Sequence, residues 1–282
     1  MARISAHRDL NRYYDFIYFW SQITSRFRAF SETGAYAIHR PLLDAGTGEY
    51  SDRVVHDLVA AALTGIGEID ALDAGCGYGG TCLDLGRKHG GRWLGITTNA
   101  RQVRIARRNA RAMGLAKSVA FARQSYDTPL PHTFSLIVGI ESLVHSSDPA
   151  ATIANLAAHL RNGGCFIIVD DMLSENLSPK QSADAAAFAR LWRCPAMPTV
   201  TQWMQHLQAA GCNVESKDDL SHLMWPRTEA ELDAEIAAAG RRRLRDAIGL
   251  QMVGDAQLGG LLLERLTATG GSRYVMLLAR KR

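Results

Sequence analysis

The run Ala71-Leu72-Asp73-Ala74-Gly75-Cys76-Gly77-Tyr78-Gly79-Gly80 constrains this chain more than any other stretch. A short apolar segment ends near an acid, glycines follow, and a helix is predicted from Gly80. Glycines at 75, 77 and 79 let the backbone turn sharply and approach a ligand with no Cβ in the way. The helix start behind them presents unpaired N–H groups to an anionic group. Gly75, Gly77 and Gly80 also fit G-x-G-x-x-G, the dinucleotide fingerprint. That fingerprint wants Asp or Glu about 20 residues on, at the end of the next strand. There the chain reads Trp93-Leu94-Gly95-Ile96-Thr97-Thr98-Asn99, with no acid.

From residue 69 the pattern alternates between strand and helix. Strands are predicted over 69–73, 92–97, 118–123, 134–140 and 164–170, and helices over 80–89, 99–113 and 148–161. Ser147-Asp148-Pro149 opens the last helix, with Pro in the first turn, and Asn162-Gly163-Gly164 closes it. A helix over 199–210, a strand near 212–219 and a final strand over 272–280 complete the pattern. The expected fold is α/β, a Rossmann-like, doubly wound, mostly parallel seven-stranded sheet.

The flanks read differently. Residues 49–63 suggest an amphipathic helix. Residues 9–30 place Tyr13, Phe16, Ile17, Trp20, Ile23 and Phe27 on one helical stripe. Residues 171–198, with three prolines, read as irregular, and 226–267 as helices without strand signal. The expected organisation is an N-terminal helical lid (1–48), a cofactor-binding core (49–170), and a remainder (171–282). That remainder completes the sheet (199–221, 272–280) and carries helical acceptor-cap insertions (171–198, 222–270). Tyr13, Tyr14, Tyr18 and Trp20 are expected to face substrate from the lid, because aromatic faces attract sulfonium and carbocations. Packing of the same stripe on the core is the plainer alternative. The aromatic helix also offers a face on which two copies can pair, so a homo-oligomer is one expectation.

Composition narrows the class. Apolar residues make up 47% of the 282, enough for a substantial core, and charged residues only 21%, which argues against disorder. The formal net charge of +4 is too small to suggest a nucleic-acid partner without a concentrated basic face. The five cysteines are an odd number with no C-x-x-C spacing, which fits reduced thiols in a cytoplasm. The N-terminus lacks a signal-like apolar core, and no run nears the roughly 18 residues of a membrane span.

The chemistry of the glycine loop suggests the ligand. Asp73 offers a carboxylate to a cationic or hydroxyl-bearing group. S-adenosylmethionine, with its ammonium, carboxylate, sulfonium and ribose, suits that combination. LDAGCGYGG (72–80), LGITTNARQVRIARRNARAMGL (94–115), FSLIVGIESLVHSSDP (134–149) and LRNGGCFIIVDDM (160–172) stand in order along the chain. In these motifs the chain resembles class I S-adenosylmethionine-dependent methyltransferases. GITTNxxQ and ESLxHxxD look like the small-molecule branch. That branch includes sterol 24-C-, tocopherol and prenyl-diphosphate methyltransferases, and O-methyltransferases acting on natural-product sugars.

The resemblance implies roles. Gly75 and Gly77 would face the methionine moiety and Asp73 its ammonium. Thr97, Thr98, Asn99 and Gln102 would serve the ribose and neighbouring groups with neutral hydrogen bonds. Ser125 stands where the family often has an Asp for adenine, with Tyr126 beside it. Ile140, Glu141 and His145 would border the reacting methyl. No metal ligand set is expected. For an alcohol acceptor, His145 oriented by Asp170 is the expected base. For an alkene, Glu141 would remove the proton from a carbocation faced by the lid aromatics. The expected activity is O- or C-methylation of a small, lipophilic natural-product acceptor. A nucleic-acid methyltransferase is the alternative, although no N/D-P-P-Y/F motif follows the fourth strand. A cofactor-binding cyclase or other non-methylating relative is a further one.

Overall fold

The computed structural model describes residues 11, 15, 39–195, 197–243 and 251–282. A hairpin of β1 (Leu42–Leu43) and β2 (Tyr50–Ser51) leads into α1 (Arg53–Ala61). The main sheet then alternates strand and helix: β3 (Asp70–Ala74), α2 (Gly80–His89), β4 (Arg92–Thr97), α3 (Ala100–Ala112), β5 (Val119–Arg123), β6 (Phe134–Ile140), α4 (Pro149–Ala158) and β7 (Leu160–Leu173). After it come α5 (Pro179–Trp192), α6 (Val200–Ala209), β8 (Cys212–Asp219), α7 (Glu229–Arg243), α8 (Gln251–Ala268) and β9 (Ser272–Lys281).

The seven strands lie in the order β5-β4-β3-β6-β7-β9-β8. Strands β5 to β7 are parallel, and β9 runs antiparallel to both β7 and β8. This is the doubly wound, mostly parallel sheet expected from the alternation. Every residue of β3 and β6 is buried, as central strands covered on both faces must be. One face packs Val55, Val59, Leu83 and Trp93 against the sheet. The other packs Leu72, Phe134, Leu156 and Trp203.

Four boundaries differ from the sequence reading. Residues 171–198 are not irregular: β7 continues to Leu173, and α5 follows. Ser178 and Gln181 form a reciprocal capping box, with Pro179 in the first turn. Proline there forfeits no hydrogen bond, because the first-turn N–H has no helical partner. Helix α4 ends at Ala158, not at 161, and Leu160 already pairs with Phe134. A register shift between Phe134 and Leu136 absorbs the Asn162-Gly163-Gly164 turn, with Gly163 at φ +73°. The segment before α1 is a β-hairpin rather than part of a helix. Of the predicted N-terminal helix, Asn11 and Asp15 are helical. Tyr13, Tyr14, Tyr18 and Trp20 lie outside the described residues.

The predicted cap segments pack on one another. Phe188 and Leu191 of α5 meet Leu262, Leu263 and Leu266 of α8. Arg265 of α8 forks onto both carboxylate oxygens of Asp184, its Nε donating at 2.8 Å, and also reaches Asp233 of α7. Among the described residues no helix is long and apolar enough to cross a membrane.

The capping box makes a local prediction. Ser178→Ala removes the acceptor for the Gln181 N–H and is expected to cost about 1 kcal/mol. Urea unfolding should show a lower midpoint at an unchanged slope.

Candidate functional site

In open α/β sheets a crevice forms at the carboxyl ends of the strands where the strand order reverses. Here the reversal lies between β3 and β6, and an open cleft lies there. Gly75 sits at φ +99°, and a Cβ placed on it would come within 2.4 Å of the Ser142 Cβ. Gly77, at φ +53°, continues the turn. The N–H groups of Gly75 and Cys76 both donate to the Ile96 carbonyl at 3.0 Å. These two donors therefore tie the loop to β4 rather than facing a ligand.

Asp73 ends this strand inside the cleft wall, 3% exposed. Among the described residues its hydrogen-bond donor is the Cys82 thiol, 3.6 Å away. Burial pushes the Asp73 carboxyl up to about 7, against the weaker opposing pull of Cys82 and His56. A buried carboxylate with so poor a donor is a site for a cation.

The β4–α3 turn divides the expected ribose group. Thr97, Thr98 and Gln102 line the cleft, and the Thr97 hydroxyl donates to Gln102 Oε1 at 2.7 Å. Asn99 does not line it. Its side-chain oxygen accepts from the Arg101 and Gln102 N–H groups as the α3 cap, and its Nδ2 donates to Asp15 Oδ1 at 3.0 Å. Thr98 is also engaged: its hydroxyl donates to Asn11 Oδ1 at 3.1 Å, and Asn11 Nδ2 donates to its carbonyl at 3.3 Å. The turn thus holds Asn11 and Asp15 as well as facing the cleft. At the end of β5, Ser125 is closed in a turn with Asp127, its Oγ 3.1 Å from both the Asp127 N–H and Oδ2. Gln124 and Tyr126 line the cleft in its place.

At the tip of β6 stand Ile140, Glu141, Ser142 and His145, all lining the cleft. Glu141 adopts φ +45°, a strained value for a residue with a side chain. Its Oε1 accepts from the Arg40 N–H and from the Tyr274 hydroxyl, each at 2.8 Å. His145 Nδ1 lies 3.1 Å from the Arg193 carbonyl. A carbonyl only accepts, so Nδ1 carries the proton and Nε2 the lone pair. Burial lowers the His145 pKa and keeps the ring neutral.

The expected orientation of His145 by Asp170 is not the arrangement found. Asp170 Oδ1 accepts from the Asp171 N–H at 3.0 Å, and among the described residues neither oxygen is given a hydrogen bond to His145. Burial, with Asp171 and Glu141 nearby, pushes Asp170 well above the ordinary carboxylate range. An acid held toward its neutral form cannot stabilise an imidazolium.

Sequence reasoning missed His39, Asn11, Gln124 and Ser142 as lining residues, and Tyr274 as the partner of Glu141. His39 and Tyr274 carry no local pattern, because tertiary contacts alone bring them in. Gln124 had a signal, its place at the end of β5.

Residues 71–164 match the methyltransferase-domain family. The chain is 33% identical over 114 residues to ajmaline N-methyltransferase of Rauvolfia serpentina, spanning 40% of this chain and 39% of that one. It is 28% identical over 165 residues to the methyltransferase GfsG of Streptomyces halstedii, spanning 58% and 59% respectively. The match thus spans less than two thirds of either curated relative. The fold superposes on geranyl diphosphate methyltransferase, solved with GPP and sinefungin. The TM-score there is 0.74 at 17% identity, covering 99% of this chain and 100% of that one.

Asp73 has a consequence for stability without any ligand. Its carboxyl is raised in the folded state, so folding is favoured at low pH and that contribution fades as pH rises through about 7. Asp73→Asn should therefore gain stability relative to the parent between pH 4 and 7, on the order of 4 kcal/mol at most. Urea midpoints of the two proteins across that range check it.

Proposed function

We propose that this chain, which belongs to the class I S-adenosylmethionine-dependent methyltransferases, transfers a methyl group from S-adenosylmethionine to a small acceptor held in the cleft. Asp73 carries the reading. A buried acid beside a side-chain-free turn suits the ammonium of an amino-acid tail, and the Thr97–Gln102 pair suits ribose hydroxyls. Gly75 and Gly77 would lie along the methionine moiety, with Thr98 beside the ribose and Gln124 and Tyr126 toward the adenine.

When bound, the cofactor supplies a methyl group already activated by a positive sulfur. The chain's own work is to align the acceptor and exclude water. Ile140, Glu141 and His145 border the acceptor. Glu141 is fixed by its two donors, and neutral His145 borders the acceptor beside it. The helices α5, α7 and α8 form the cap that shapes the acceptor pocket, together with the N-terminal segment. The relatives named for ajmaline and geranyl diphosphate support a small organic acceptor of natural-product type rather than a nucleic acid. Five buried, unpaired cysteines fit a reducing compartment, the cytoplasm.

Calorimetry with S-adenosylhomocysteine tests the cofactor half. Binding should release a proton below pH 7, because the ammonium favours ionised Asp73. Asp73→Asn should weaken binding by roughly 10- to 100-fold, the worth of a charged hydrogen bond. Transfer of labelled methyl to a panel of alcohols, phenols, amines and isoprenoids tests the other half. No heat with either cofactor form would overturn the reading.

A further inference from the structure

His39 lies on the cleft wall, and behind it a line of polar side chains runs into the core. His39 Nε2 is 3.0 Å from Nε2 of His56 on α1. His56 Nδ1 is 2.9 Å from Asp84 Oδ2 on α2, and both of these side chains are fully buried. Lys88 Nζ meets the same Asp84 oxygen at 3.2 Å, while Asp84 Oδ1 is buried with no hydrogen-bond partner. The three elements that carry this line are separated in sequence and converge only in the fold.

We propose that His39 is the proton acceptor of the reaction, and that it serves a hydroxyl-bearing acceptor by passing charge through His56 toward Asp84. The proposal rests on the methyl-transfer reading and deepens it, because it names the acceptor class. His39 touches the cleft and is the catalytic residue. His56 and Asp84 act through it and are positioning residues.

The hydrogen-bond logic allows two complete states. At rest, Asp84 is ionised and accepts from His56 Nδ1–H, so His56 Nε2 carries a lone pair and His39 Nε2–H donates to it. His39 Nδ1 is then unprotonated: the Arg40 carbonyl stands 3.5 Å away, at the limit of a hydrogen bond and beyond the 3.1 Å contact that fixes the His145 tautomer. After proton uptake, His39 Nδ1 carries a proton that the Arg40 carbonyl can accept. His39 Nε2 then accepts from His56 Nε2–H, and the His56 imidazolium pairs with Asp84. One proton enters at Nδ1 and one moves between the two Nε2 atoms.

The balance closes over the whole transfer. The acceptor oxygen forms a bond to the methyl carbon as the sulfur–carbon bond breaks, and the electron pair returns to sulfur. The hydroxyl proton ends on the His39–His56 pair, opposite the Asp84 carboxylate.

Electrostatics agree with this direction. Burial, then the neighbouring His56, lowers the His39 pKa against Glu141 and Asp52, so the ring is neutral at rest. Burial raises the Asp84 carboxyl, but the hydrogen bond from His56, with Lys88, outweighs it and holds the group down at about 2. Among the described residues, Glu141 from the β6 tip, Asp52 before α1 and His56 are the titratable groups facing His39. His39 is wired through His56 to an ionised acid. Its place beside Glu141 is fixed by the Arg40 N–H.

The test uses the full chain, with H39Q and D84N as variants. S-adenosylhomocysteine binding by calorimetry should stay within about threefold of the parent in H39Q, since His39 serves the acceptor. With a hydroxyl acceptor, kcat should fall by roughly 10²- to 10⁴-fold in H39Q, the usual weight of a general base. D84N should lose less. The parent kcat profile should show an acid limb below the ordinary imidazole value of 6.5, absent in H39Q and moved to lower pH in D84N. Nitrogen-15 spectra of the unmodified protein at neutral pH should show His56 protonated at Nδ1 and His39 at Nε2, a readout independent of turnover and of variant folding. H39Q turning over within threefold of the parent would overturn the proposal, as would spectra with the opposite tautomers. A parent that binds the thioether but methylates only carbon acceptors would sink it while leaving the family reading intact. A parent that binds no cofactor would take both.

Discussion

The contact between Gly75 and Ser142 holds the ends of β3 and β6 together, and the geometry of the cleft follows from it. With no side chain at 75, Ser142 packs directly on the backbone, and its hydroxyl donates to the Ala74 carbonyl at 2.6 Å. The parallel register of Ala71 with Leu136 and Asp73 with Val138 brings the two strand ends to this point. Asp73 precedes the turn by two residues, and Glu141 precedes Ser142 by one. A methyl group at 75 would push the β6 tip away and displace both acids from the space between them. The positive φ of Glu141 is the backbone cost of turning there.

Polar bonds over long sequence distances hold the segments around the cleft. Asn11 pairs with Thr98, Asp15 with Asn99, His39 with His56, and Arg40 with Asp171 at 3.0 Å. Arg40 also lies 5.5 Å over the Tyr274 ring. It is the cation set among Glu141 and Asp171, and it opposes the burial that raises the Asp171 carboxyl to about 6. Such groups lose more when one partner is removed than the pair contributes net, because the survivor stays buried without water. Asn11, Asp15, His39 and Arg40 are therefore held by specific polar partners.

The legible parts of the chain share a physical cause. The β3 glycine turn, the alternation of buried strands with capped helices, and the final strand all arise from local periodicity and from residues with narrow backbone preferences, whereas the antiparallel direction of β9 is set by the fold. Asn99 and Asp148 could be read as helix starts because their side chains bond to N–H groups two or three residues ahead. Helix α5 was equally legible in Ser178-Pro179 and Gln181, but weight on the prolines as breakers obscured it. The ribose and adenine positions were only partly legible. Thr97 and Gln102 face the cleft, whereas Asn99 and Ser125 form local bonds, and a sequence does not say which way a polar side chain near a strand end will turn.

Local chemistry alone established a doubly wound sheet with an acid and a glycine turn at its centre, since strand burial and backbone freedom depend on neighbours along the chain. The fold alone assigned partners to the acids and histidines. Asp170 accepts from its own neighbour, Glu141 is claimed by Tyr274 from the far end of the chain, and His39 meets His56 and through it Asp84. A buried polar group takes whichever partner packing brings within about 3 Å, and that distance is set by elements tens to more than a hundred residues apart.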